Sequence, residues 1–236
     1  MRCLLLLYRM KLELSPRLAA VASLVPDGAS LADVGTDHAY LPVHLILEGR
    51  ICHAIAADIR PGPLDHARRT AEEYGVSEKL DFRLCDGLSA ICPGDCDTVT
   101  IAGMGGETIA HILSQALWTR DDVCLILQPQ STQNVLRSFL VQSGYRIRSE
   151  QVVREGERWY PVLLVEGGSM EPITPGEAVA GKPETWLEQS ERKGYLEWLL
   201  RRTRQQLEGL NKSARPRDDV RRQELQEVER FLQKWL

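Results

Sequence analysis

Short apolar runs recur along the chain at 31–34, 53–59, 80–87, 97–106 and 123–129, with helix-patterned stretches set among them. Alternation of this kind leaves few folds open. Each run reads as a strand and the intervening stretches as crossover helices, which together build a parallel sheet with right-handed connections. "LADV" (31–34) is the most compact of the runs. Ahead of it, Ser15 and Pro16 form an N-cap and first helical position, and Leu18, Val21, Ala22 and Val25 follow at helical spacing. Behind it, "AYLPVHLILEG" has helical spacing with Gly49 as its stop.

The last two apolar runs break the alternation. "YRIRSEQVVRE" (145–155) and "RWYPVLLVE" (158–166) are separated only by Gly156 and Glu157, too little chain for a parallel crossover, so they predict an antiparallel hairpin. A mostly parallel sheet with a reversed last strand resembles the Rossmann-like fold of class I methyltransferases that use S-adenosylmethionine. Residues 1–166 are therefore expected to form an α/β catalytic domain. Residues 167–183, rich in Gly and Pro, read as a linker. From 184 to 236 the pattern is helical, with Trp186, Leu187, Tyr195, Trp198, Leu199 and Leu210 on a first helix. Leu225, Val228, Leu232 and Trp235 form a heptad-like stripe on a second. The two, interrupted by "SARPRD", predict an antiparallel helical hairpin of coiled-coil type.

Charge divides the chain near the same boundary. Residues 182–236 hold 13 Lys/Arg against 10 Asp/Glu, and residues 1–181 hold 16 against 23. An acidic body argues against nonspecific wrapping of nucleic acid, while a mildly basic appendage is able to steer a polyanion. Cys3, Cys52, Cys85, Cys92, Cys96 and Cys124 lack the paired spacing of a tetrahedral zinc site. No metal is expected, and the thiols suit a reducing cytosol. The opening "MRCLLLLYRM" falls short of a signal-peptide core of about 7–15 apolar residues. Met10 reads as the more natural start and residues 1–9 as an upstream extension. No run approaches the roughly 18 apolar residues of a membrane span, so a cytoplasmic protein is expected.

Candidate chemistry gathers at the ends of the runs. Asp33, Gly35, Asp37 and Ala39 occupy the D-x-G-x-G-x-G positions of the first strand–loop–helix. Gly35 admits close backbone approach, and the helix N-terminus beyond it favours a carboxylate. Asp58 ends the second run, where an acid binds ribose hydroxyls, and Asp86-Gly87 ends the third, where an acid accepts from an adenine amino group. Each alone also reads as a strand-end cap. Three at successive strand ends fit a ligand held outside the carboxyl ends of parallel strands. "GMGG" (103–106) follows the fourth run, and its glycines fit either a backbone passing a flat substrate or a tight strand-to-helix turn.

"LADVGTDHAYLP", "IAGMGGETI" and "LILQPQ", in that order and spacing, resemble the motifs of the bacterial tRNA (adenine-22-N1)-methyltransferases, the TrmK family. The resemblance runs from about Met10 to Glu166, with a similar helical extension beyond. It implies S-adenosylmethionine as donor and a tRNA adenine as acceptor. On the matching positions it implies a cofactor site of Asp33, Gly35, Thr36, Asp58, Asp86, Gly87, Ala102 and Gly103. Met104, Gly105 and Gly106 would line an adenine slot, with Gln128 and Pro129 as its opposite wall. Relatives tend to have Asn after "LQP", whereas this chain has Gln130, which moves the amide by one methylene.

Adenine N1 holds a lone pair at neutral pH, so its methylation needs alignment rather than a strong base. A carboxylate that holds the exocyclic amine and offsets the developing cation would serve. Asp37 is the candidate, with His38 as an orienting or stacking neighbour or as a helix cap. An adenine inside folded tRNA must first be extruded. Arg201, Arg202 and Arg204, with Arg192, Lys193, Arg221 and Arg222, offer a surface for the RNA backbone, or else a solvated, ion-paired helical face. Two other readings stay open: a class I methyltransferase acting on another RNA or a small molecule, and a noncatalytic nucleotide- or RNA-binding protein. An NAD-dependent dehydrogenase fits least, because Asp37 stands where the second glycine belongs. A monomer is expected.

Overall fold

The computed structural model describes residues 11–187, 190–213 and 218–236, and divides into two compact units at Thr100. The expected upstream extension, residues 1–9, lies outside the described residues, as does most of "SARPRD".

The first unit carries α1 (Pro16–Leu24), β1 (Leu31–Val34), α2 (Tyr40–Leu47), β2 (Ala54–Asp58), α3 (Pro61–Glu73) and β3 (Leu80–Leu84). Ser15 caps α1 by accepting from Leu18 N, with Pro16 at the first helical position. β1 pairs in parallel with β2, and β2 with β3. Every residue of β1 and β2 is buried, so both strands read as continuous apolar runs. β3 ends at Leu84, earlier than its apolar run implies. Cys85 N still donates to Asp58 O at 3.0 Å, after which Gly87 takes a φ of 55° and turns the chain.

β4 (Thr98–Gly105) crosses the division. The second unit continues with α4 (Gly106–Gln115), β5 (Cys124–Ser131), α5 (Gln133–Gln142), β6 (Tyr145–Glu155), β7 (Arg158–Gly167), α6 (Pro175–Ala180), α7 (Glu191–Ser213) and α8 (Asp219–Lys234). The seven-stranded sheet has the order β3-β2-β1-β4-β5-β7-β6. β6 and β7 form the expected hairpin, and β7 is antiparallel to β5 as well. The reversed strand is thus last along the chain yet interior in the sheet, because β6 closes the edge.

The Gly- and Pro-rich stretch after β7 folds into the second unit instead of standing apart. Thr174 and Glu177 form a reciprocal capping box at the start of α6, and Ala178 and Ala180 are buried. Arg137 of α5 is buried against them. Its Nη1 donates to the carbonyls of Ala178 and Val179 at 2.9 Å, and its Nε and Nη2 donate to the Glu150 carboxylate, the closest at 2.6 Å. Burial opposes the charge on Arg137, but the Glu150 carboxylate outweighs it and raises the guanidinium pKa.

The first C-terminal helix begins later than its apolar pattern suggests. Trp186 pairs with Glu150 in an isolated bridge and Leu187 N donates to Glu150 O at 2.9 Å, so both residues extend alongside β6 ahead of α7. Arg204 meets Glu229 at 2.7 Å and Arg222 meets Asn211 at 3.1 Å, which makes α7 and α8 antiparallel. Their buried faces share a core with β6 and α6, through Val152, Ala180, Tyr195, Leu196, Leu199, Val228 and Leu232. Trp235, the last member of the expected stripe, is 42% exposed because α8 ends at Lys234.

Arg137→Met should destabilise the protein by about 3–5 kcal/mol, because it strands a buried carboxylate and two carbonyls. Arg137→Met with Glu150→Leu should recover much of that loss. Chemical denaturation of the wild type and both variants measures the difference.

Candidate active site

The loop after β1 keeps the backbone of a glycine-rich turn with one glycine. Gly35, Asp37 and Ala39 have φ of 74°, 50° and 55°. Left-handed backbone costs a non-glycine residue about 1–2 kcal/mol, less for Asp, whose short side chain bonds locally. Three contacts enforce it. Ala57 O accepts from both Gly35 N (2.8 Å) and Thr36 N (3.0 Å), and Thr36 O accepts from Ala39 N (2.9 Å). The third is Asp33, 5% exposed, whose two oxygens accept from the hydroxyls of Thr36 and Thr100 at 2.7 Å each. Burial raises the Asp33 pKa, and the two hydroxyls pull it the other way. Asp33 therefore braces the loop.

The brace leaves Asp37 in water. Its side chain is 65% exposed, with Oδ2 3.9 Å from His38 Nε2. His38 stacks on Tyr40 (centroids 5.0 Å apart, 7° between planes) and on His66 of α3 (4.7 Å, 11°). Tyr40 and His66 share no ring contact with each other among the described residues, so each stacks on His38 separately. Its side chain is 38% exposed, and its ring is engaged by two protein rings. Atoms of Asp37, His38 and His66 also lie within 4.8 Å of one another, as metal ligands would. A metal lies in the plane of each imidazole that binds it, and two stacked, parallel planes share no such point.

Asp58 ends β2 at 7% exposure. Its Oδ1 accepts from Arg60 N at 3.0 Å, and its Oδ2 carries no partner among the described residues. Asp86 is exposed and lies in the turn beyond β3 rather than at a strand end.

In the second unit, β4 runs through Ala102 into Gly103, at φ 83°, whose N–H donates to Gln128 Oε1 at 3.1 Å. Gln128 is fully buried, and its Nε2 donates to Pro129 O at 3.1 Å. Pro129 is buried too. The expected wall of Gln128 and Pro129 is therefore an internal clasp that ties the end of β4 to β5. Gly103 and Gln130 are exposed, while Ala102, Met104 and Gly105 are half-buried. Gly106 faces protein: a Cβ there would collide with the Thr132 carbonyl, and Thr132 is itself left-handed at φ 48°. The glycine at 106 thus serves the packing of α4 on the turn into α5.

The basic residues of the appendage separate into three sets. Arg192 is 8% exposed, donates to Glu150 O at 2.8 Å and lies over the Trp186 ring, so it is withdrawn from any RNA surface. Arg204, Arg221 and Arg222 pair with Glu229, Glu224 and Asp219. Arg201 and Arg202 are exposed without a carboxylate partner among the described residues, Arg202 over the Trp198 ring. Cys96 is buried, and burial pushes its thiol up to about 11, so it is unsuited to thiolate chemistry. Sequence reasoning missed Thr100, Thr132, Tyr40 and His66; a threonine inside the apolar run "TVTIAG" was the one visible sign.

A mostly parallel seven-stranded sheet with one reversed strand, acids at the ends of β1 and β2 and a glycine turn after β4 define a class I methyltransferase that uses S-adenosylmethionine. Residues 14–163 match the family model of a methyltransferase domain. The chain is 39% identical over 170 residues to the tRNA (adenine(22)-N(1))-methyltransferase of Bacillus subtilis (strain 168), covering 70% of each. It is similar to the crystal structure of the B. subtilis m1A22 tRNA methyltransferase TrmK, with a TM-score of 0.81 and 31% identity over 95% of this chain and 99% of that one. A Streptococcus pneumoniae structure in complex with S-adenosyl-L-methionine aligns at 0.77 and 34% identity, over 94% and 99%. The chain belongs to the TrmK family of tRNA (adenine(22)-N(1))-methyltransferases.

Gly106→Ala should cost about 1–3 kcal/mol, because the added methyl meets backbone that cannot rotate away. Its melting temperature should fall by several degrees, read by calorimetry against the wild type.

Proposed function

We propose that this protein transfers the methyl group of S-adenosylmethionine to N1 of adenine 22 in tRNA. The observation that carries the reading is the exposed Asp37 carboxylate, held on a braced, left-handed loop at the end of β1 in a chain of this family. The residues present fit the donor. Asp58 offers a nearly buried carboxylate oxygen without a partner among the described residues, suited to ribose hydroxyls. Gly35 and Gly103 offer close backbone approach, and Asp86-Gly87 an acid for the adenine amine.

When bound, S-adenosylmethionine supplies an electrophilic methyl on a sulfonium. The protein's part is placement. Adenine N1 attacks with its own lone pair, so no residue has to remove a proton first. Asp37 accepts from the exocyclic amine and offsets the positive charge that grows on the base, with His38 fixed beside it by its two ring neighbours. Met104, Gly105 and Gln130 are the family-matched candidates for contact with the acceptor. Asp33 and Gln128 act at one remove, as supports of the two loops. Arg201 and Arg202 contact the RNA backbone, and the working form is a cytoplasmic monomer.

Incubation of the purified protein with labelled S-adenosylmethionine and unmodified tRNA bearing adenine 22 should yield N1-methyladenosine at that position by digestion and mass spectrometry. Transfer to another position or none would refute the assignment. Asp37→Ala should lower kcat by about 100-fold or more while cofactor affinity stays within a few-fold, measured by calorimetry. Equal loss of both would move Asp37 into cofactor binding. Arg201→Glu with Arg202→Glu should weaken tRNA binding about tenfold and reduce its salt slope by about 2, with cofactor binding unaltered.

A further inference from the structure

We propose that the outer face of His66, at one end of the Tyr40–His38–His66 column, is a stacking platform for an unpaired nucleobase of the RNA, with Arg69 as its phosphate contact. The proposal rests on the tRNA reading and adds a contact to it. The two stacking distances, 5.0 and 4.7 Å, and the small interplanar angles engage His38 with two protein rings. Tyr40 and His66 are themselves exposed, which leaves their rings within reach of a ligand.

Stacking suits a nucleobase in particular because every base has a π-face, and an exposed ring beside a cationic side chain holds single strands without reading sequence. The column starts at the loop that presents Asp37, so a base resting on it lies within reach of the nucleotide being methylated. His66 is the favoured end because of its surroundings. Arg69 stands one turn further along α3 and Arg60 precedes the helix, both exposed, with guanidinium groups that have no carboxylate partner among the described residues. α2, which carries Tyr40, holds no Lys or Arg. α3 also bears Asp65, Glu72 and Glu73, so its cations serve as point contacts to phosphate rather than as a continuous basic stripe.

The test uses the full chain, unmodified tRNA, and the same tRNA with 2-aminopurine replacing the nucleotide beside adenine 22. His66→Ala should raise the KM for tRNA about tenfold, with cofactor affinity changed by less than about twofold. His66→Phe, which keeps a ring, should restore KM. 2-Aminopurine fluorescence should be quenched on binding to wild type and His66→Phe, and remain unquenched with His66→Ala. Arg69→Gln should raise KM and reduce the salt slope of binding by about one. Wild-type KM and quenching in His66→Ala would overturn the platform, as would a raised KM that phenylalanine fails to restore. A wild-type enzyme that binds cofactor and methylates no tRNA would overturn the reading beneath it. Binding and fluorescence need no turnover, so the two failures are distinguishable.

Discussion

One buried carboxylate governs the geometry at the end of β1. Asp33 costs free energy to bury as an anion, and the hydroxyls of Thr36 and Thr100 offset that cost by occupying both of its oxygens. In return it ties a strand, a loop and a neighbouring strand residue into one unit. Asp37 and Ala39 have no intrinsic reason to be left-handed; they stay so because Asp33 and the Ala57 carbonyl over-determine the loop. The strain sits where the loop presents an exposed carboxylate on a fixed support.

The same design recurs at the end of β4. A fully buried amide, Gln128, accepts from Gly103 and donates to Pro129, so the polar side chain that looked available to a substrate is spent on holding the turn. At both loops a buried polar group fixes the backbone, and the residues it leaves at the surface, Asp37 in one and Gln130 in the other, are free for a ligand. Alignment rather than base strength is what N1 methylation requires, and rigid loops serve alignment.

The C-terminal helices follow a different logic. Arg137 and Glu150 form a buried pair that also binds the carbonyls of α6, while Arg192 reaches the Glu150 carbonyl from α7. Charges so placed need every partner. The helices therefore share a core with β6, and removing them would expose that core along with any RNA surface they carry. Point charges at Arg201 and Arg202 are the cleaner probe.

The succession of buried apolar runs along the chain, the βα alternation, the two-residue hairpin and the acids that end the first two strands were legible in the sequence, because each is a local pattern or follows from chain length. So was the family, through three motifs of unusual composition. Only the folded chain decided which polar residues face inward. Gln128 and Arg192 carry the same chemistry as Gln130 and Arg201, yet burial turns the first pair into supports and leaves the second pair exposed. Nor did spacing predict that His66 would meet His38, since the contact joins a loop to a helix 28 positions along the chain. Periodicity reports which face of an element is buried. What that face touches depends on how the elements pack, and packing assigned the roles.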